Sequence, residues 1–206
     1  MSIEQTSHSF CYGTGISLVH DHISSGINTA LVVGISYVPT TEVSGVSYGG
    51  QELALIAGAS QGDQTAQSVW YMVNPPTGTS SVSVDFYSET NALVNASTFS
   101  GIQQTGTVVF NSRTAVGLGV KEMPIKSFSK AGSISIGVGM TNNQSSYVTQ
   151  LSSAQTEDWN TQASGLNIHS QAISAQLPVT LNEITVGNVL TEAADWAIVI
   201  IGFEGA

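Results

Sequence analysis

His20-Asp21-His22 is the segment of this sequence with the most direct capacity for chemistry. Alternation along a strand would set both imidazoles on one face about 7 Å apart, close enough to share a metal ion. Further ligands would have to come from distant segments such as His8 or His169, with no His-x-x-x-His or cysteine partner nearby. One two-residue spacing is too common to be diagnostic, so the pair reads as solvated or hydrogen-bonded, and no metal site is expected. Glu157-Asp158 offers two carboxylates, the groups that glycoside hydrolysis uses. Neighbours in one strand point to opposite faces, so these acids are not expected to converge. Trp159 follows them, flanked by Asn160-Thr161-Gln162, and is the best candidate for an exposed stacking platform, whereas Trp70 and Trp196 lie in apolar strands and read as core. Binding would live in the polar loops, Asn142-Asn143 among them. The candidate ligand or partner surface is therefore Trp159, Glu157, Asp158, Asn142, Asn143, His20 and His22.

Other signatures are lacking. No P-loop or dinucleotide fingerprint follows a strand, and no EF-hand pattern supports calcium near Asp63 or Thr141-Asn142-Asn143. Gly117-Leu118-Gly119 and Gly137-Val138-Gly139 lie inside alternating strands, where glycine marks a bulge or a close inter-sheet approach. No cofactor is expected, and no enzymatic activity.

The elements that must carry these residues are strands. Period-two alternation and β-branched residues dominate the 206 residues, and no helical stripe survives uninterrupted by Gly or Pro. Thr29 to Val38 is nearly continuous in apolar residues and reads as a central strand covered on both faces. Val43 to Tyr48 leads into Gly49-Gly50, a hairpin signal, from which Leu53 to Ala57 is expected to return as its partner. Thr79 to Tyr87 alternates Val82, Val84 and Phe86 against Ser81, Ser83 and Asp85. The last strand, Trp196 to Phe203, is apolar enough to require an interior place. About a dozen strands with turn residues at short intervals predict an all-β, two-sheet antiparallel β-sandwich, jelly-roll-like, as a single domain over residues 1–206. No internal repeat of fixed period is visible. Val82, Val84, Phe86, Ala197, Val199 and Ile201 are the predicted core.

Composition narrows the partners. Charged residues make up only 9% of the chain against roughly 25% in ordinary soluble domains, and the formal charge is -10. All four cations, Arg113, Lys121, Lys126 and Lys130, fall in one short stretch, too few to neutralise a nucleic-acid backbone. No apolar run approaches the roughly 20 residues of a membrane span. Cys11, the one cysteine, cannot form an internal bridge and reads as a small buried hydrophobe. The N-terminus shows neither a basic start nor a long apolar core, which points to synthesis and first folding in the cytoplasm.

Several segments together carry a resemblance: Asn28-Thr-Ala-Leu-Val-Val-Gly-Ile-Ser, Val46-Ser-Tyr-Gly-Gly-Gln-Glu-Leu, Val69-Trp-Tyr-Met-Val-Asn-Pro-Pro-Thr-Gly, Thr98-Phe-Ser-Gly-Ile-Gln-Gln-Thr and Ala194-Asp-Trp-Ala-Ile-Val. In this order they resemble a group of largely uncharacterised bacterial, archaeal and phage-encoded β-sandwich domains of surface and virion proteins. The resemblance implies a structural role and brings no catalytic residues. The expectation is a non-enzymatic structural or recognition protein on a phage virion surface, a head decoration protein or appendage knob, with copies of itself or other virion proteins as partners. The alternative is an extracellular carbohydrate- or surface-binding adhesion module that grips a cell-surface glycan. Nucleic-acid binding and membrane insertion are not expected in either case.

Overall fold

The computed structural model describes residues 2–129, 131–142, 147–150, 155–163, 166, 168–176 and 182–206. Among these residues there is no helix. The strands are β1 (Glu4–Ser24), β2 (Ala30–Tyr37), β3 (Val43–Tyr48), β4 (Gln51–Glu52), β5 (Ala54–Gln61), β6 (Thr65–Val73), β7 (Gly78–Ser100), β8 (Val109–Ser129), β9 (Ile134–Thr141), β10 (Tyr147–Gln150), β11 (Gln155–Ala163), β12 (Ile168–Gln176) and β13 (Asn182–Phe203). They form the expected two antiparallel sheets, β1 to β7 in one and β8 to β13 in the other. The segment Thr79–Tyr87 is part of a longer strand, β7, 23 residues long. The Gly49-Gly50 turn forms with positive φ at both glycines, as a tight hairpin requires. Its return strand is only β4, however, and β5 crosses over to pair with β6, which corrects the expected pairing of Leu53–Ala57 with β3.

Each sheet is organised around one long ribbon. In the first, β1 runs along one edge of β7 while β3 and β2 lie end to end along the other, with β6 and β5 beyond β2. The ribbon then turns a corner: between Gly15 and Ser17 the partner jumps from Thr90 to Asp85. Thirteen residues of straight strand would hold Ser9 and His22 roughly 44 Å apart. Instead Ser9 Oγ lies 2.8 Å from His22 Nδ1, so β1 has folded back on itself. The Tyr48 hydroxyl fastens the fold by donating to the carbonyl of Gly78 at 2.8 Å.

Three main apolar cores result. One lies wholly within the folded first sheet, around Leu31, Val33, Ile35, Tyr48, Val82, Val84 and Phe86. Another lies within the folded second sheet, around Met123, Val186, Trp196 and Ile198. Between the sheets, Val32, Val69, Phe99, Ile136, Val138, Val199, Ile201 and Phe203 form the third. All six predicted core residues are buried, and β2 is buried at every position, as its apolar run requires.

The second sheet repeats the first, although the sequence shows no periodicity. The strand order β3-β7-β2-β6-β5 with β1 on β7 recurs as β10-β13-β9-β12-β11 with β8 on β13. Register recurs with it: Gln5 pairs with Phe99 and Val109 with Phe203, Val43 with Phe86 and Tyr147 with Leu190, each partner advanced by 104 positions. Even the irregularities recur, since the β5 bulge between Leu55 and Ala57 matches the β11 bulge between Glu157 and Trp159. The corner of β1 is matched by the jump in β8 between Val120 and Glu122, which pair with Ala194 and Val189. Contacts across the interface come in reciprocal pairs, β5 with β8 and β11 with β1, β6 with β9 and β12 with β2, and β2 meets its own counterpart β9. The halves are thus related by an approximate two-fold axis. Near it Gly34 faces Val138, its equivalent, and a Cβ on Gly34 would lie only 2.7 Å from Val138 Cγ1.

Candidate functional site

The bulge in β11 decides where the candidate acids and tryptophan point. A regular strand would put Glu157 and Trp159 on one face. The extra residue, Asp158, shifts the alternation by one and turns Trp159 into the inter-sheet core. Trp159 is only 4% exposed and stacks on the His8 ring, with centroids 5.3 Å apart and planes 9° from parallel. The expected exposed platform is therefore a buried structural side chain.

Glu157 and Asp158 turn to opposite sides of β11. Glu157 Oε2 accepts hydrogen bonds from Gln171 Nε2 and, at 3.2 Å, from Asn160 Nδ2. Asp158 Oδ1 accepts from Ser174 Oγ at 2.9 Å, while Oδ2 is buried without a hydrogen-bond partner. Gln171 and Ser174 lie three apart on β12 and so on opposite faces, which gives the two carboxylates different hydrogen-bond partners. Burial raises the Asp158 carboxyl to about 7, with the Ser174 bond opposing and the Glu157 charge adding to the rise. Beside it opens a cleft of about 460 Å³ lined also by Glu157, Glu4, Gln5, Phe99 and Ile134. This cleft brings the perturbed Asp158 together with the carboxylates of Glu4 and Glu157.

His20 and His22 lie inside the folded first sheet. His22 is nearly fully buried, with Ser7, Ser9 and Thr98 hydroxyls around its ring nitrogens, and His20 Nε2 lies 3.1 Å from Ser9 Oγ. Burial lowers both pKa values to about 4; neighbouring imidazoles add to this, and Asp21 partly opposes it for His20. Of the distant ligands considered, His8 lies near enough to act on both imidazoles while its ring stacks on Trp159 and its Nε2 lies 3.2 Å from Asn95 Oδ1, and His169 lies on Asn160. Among the described residues no group of three or more His, Cys, Asp or Glu is placed to hold a metal. Cys11 is half-buried against the same core, and burial pushes its thiol up to about 11.

Asn142 ties β9 to β13: its backbone N–H donates to the Asp195 carbonyl at 3.2 Å, and its side chain bonds Asp195 again. Asn143 lies outside the described residues. The six described candidates thus do not assemble into one site, but lie at a bulge, a folded ribbon and a strand end.

A second cleft, of about 310 Å³, was not read from the sequence. It opens beside Trp70, which is half-buried rather than fully core, with Tyr37, Glu42, Leu55, Ser60 and Ser68 in its lining. Gly58-Ala59-Ser60-Gln61-Gly62 beside it has the Gly-x-Ser-x-Gly order of a nucleophile elbow. Here it ends β5 and turns into β6, so it lacks the strand-to-helix turn of that elbow. The sequence signal for the cleft was the small residues Gly58 and Ser60 facing the Ser68 region, which gains meaning only with the β5–β6 register.

Comparison with family models, with curated proteins and with solved structures gave no match to this chain. No helix among the described residues is long and apolar enough to cross a membrane.

Proposed function

We propose that this is a non-enzymatic structural and recognition protein of a phage virion surface, a head decoration protein or appendage knob, assembled with copies of itself or with other virion proteins. The observation that carries the reading is the placement of exposed apolar side chains. Phe10, Tyr12, Ile16, Val19 and Ile23 on β1, with Val116, Leu118 and Val120 on β8, make up most of the exposed large hydrophobics among the described residues. Both strands pair on one side only among the described strands, β1 with β7 and β8 with β13. Long edges with outward apolar residues are what monomers avoid and what partners cover. Low charge density suits close packing of copies, and the motif resemblance to phage-encoded surface domains supports the virion setting.

Light scattering over a range of concentrations, with a search for the chain in purified particles, tests the reading. A discrete oligomer and presence in the particle are expected; a strict monomer absent from particles overturns it. The adhesion-module alternative loses Trp159 as its platform and is favoured only by the Trp70 cleft.

A further inference from the structure

The two repeats supply an internal comparison, because equivalent backbone positions carry different side chains. At the Trp70 cleft, Leu55, Gly58, Ser68 and Trp70 of the first sheet correspond by register to Glu157, Asn160, Gln171 and Ile173 of the second. In the second sheet this space is crossed by a polar network. Asn160 and Gln171 both donate to Glu157, and Asn188 donates in turn to Gln171. In the first sheet the amides are replaced by Gly58 and Ser68, and a cleft of about 310 Å³ stands open beside an indole.

We propose that the Trp70 cleft binds the end of a neutral saccharide, with the indole as its stacking face. A pyranose presents an apolar C–H face and a rim of hydroxyls, and the cleft offers the complement. Trp70 and Leu55 supply apolar surface, Ser60 and Ser68 supply hydroxyls, and Glu42 supplies an acceptor. The indole is oriented before any ligand arrives, since Trp70 Nε1 donates to Ser68 Oγ at 3.2 Å. Anionic ligands are disfavoured, because the residues that line the cleft include the carboxylate of Glu42 and no Lys or Arg. The volume lies at the low end of ligand sites, roughly 300 to 1,000 Å³, which suits a short glycan end. The inference does not depend on the assembly reading, because the cleft residues lie off β1 and β8.

The test is a glycan array of neutral oligosaccharides of glucose, galactose, mannose and N-acetylglucosamine probed with the full chain, followed by tryptophan-fluorescence titration of the best binder. The key variant is Gly58→Asn with Ser68→Gln, which copies the second repeat's filling. A Cβ at Gly58 meets its nearest neighbour at 3.6 Å, so the first change fits without strain. Saturable binding that falls at least tenfold in G58N/S68Q, with the β-sheet circular-dichroism spectrum retained, is expected, and Trp70→Ala should lose it as well. Absence of any neutral glycan binder, binding retained in the filled variant, or preference for a quaternary ammonium such as choline would overturn the proposal.

Discussion

Replacing Asp158 by Asn isolates the cost of burying one carboxyl. In the folded chain the group titrates near 7 against an ordinary value of 3.8. Between those values the folded state holds a proton that the unfolded chain has released, so stability falls as pH rises, and the penalty is complete above about 7. A shift of about three pKa units corresponds to a ceiling of about 4 kcal/mol, at about 1.4 kcal/mol per unit. Asparagine cannot ionise and can still accept from Ser174, but its amide would inherit the unpartnered Oδ2 position, at a cost of about 1 to 3 kcal/mol at every pH. The pH-dependent part is therefore the clean observable. In urea unfolding of wild type and D158N at pH 4 and pH 8, the stability difference should move towards the variant by up to about 4 kcal/mol. With a urea slope near 2 kcal/mol per molar, that is a midpoint change of about 2 M. Titration of His20 and His22 is common to both proteins and largely cancels. A difference that stays constant between the two pH values would refute the idea that Asp158 is held protonated by burial.

Other consequences are open to simple measurement. His22 stays neutral in the fold down to about 4, so its contribution is intact above about 6.5 and drains as pH falls towards 4; His22→Gln should flatten the stability profile between pH 7 and 4.5 by about 2 to 3 kcal/mol. Gly34→Ala should destabilise by about 1 to 3 kcal/mol through the contact with Val138, and adding Val138→Ala should cost less than the two single changes summed, read by denaturant melts. Ile16→Lys and Leu118→Lys, both at well exposed positions, should leave melting unchanged and lower the mass of any assembly seen by light scattering; an unaltered assembly would place its interface elsewhere.

Strand content and core were legible because they depend on local alternation. Val82, Val84 and Phe86 lie on one face of β7, and the unbroken run of β2 could only be covered on both sides. Misreadings arose where one residue changed the phase. Trp159 looked exposed from its polar neighbours, yet the single extra residue of a bulge sends it inward, and nothing in Glu157-Asp158-Trp159 announces that bulge. The duplication was hidden for a related reason. What recurs is the register of pairing, while side chains diverge so far that Trp70 stands opposite Ile173 and Asn95 opposite Val199. The histidine pair reads from the sequence as solvated or hydrogen-bonded; the fold buries His22 against hydroxyls, and the partners Ser7 and Ser9 could not be named without the corner in β1.

The meeting of Gly34 with Val138 also bears on how such a chain can evolve. In a symmetric dimer of one repeat, the residue on the axis meets its own copy, so any substitution there is made twice. Two glycines would leave a void and two valines would collide. Joining the copies in one polypeptide removes that constraint, so a small residue on one side can be matched to a large one on the other. The same release allows one repeat to carry Gly58 and Ser68 beside a cleft where its twin carries Asn160 and Gln171, so that each half can take a different course.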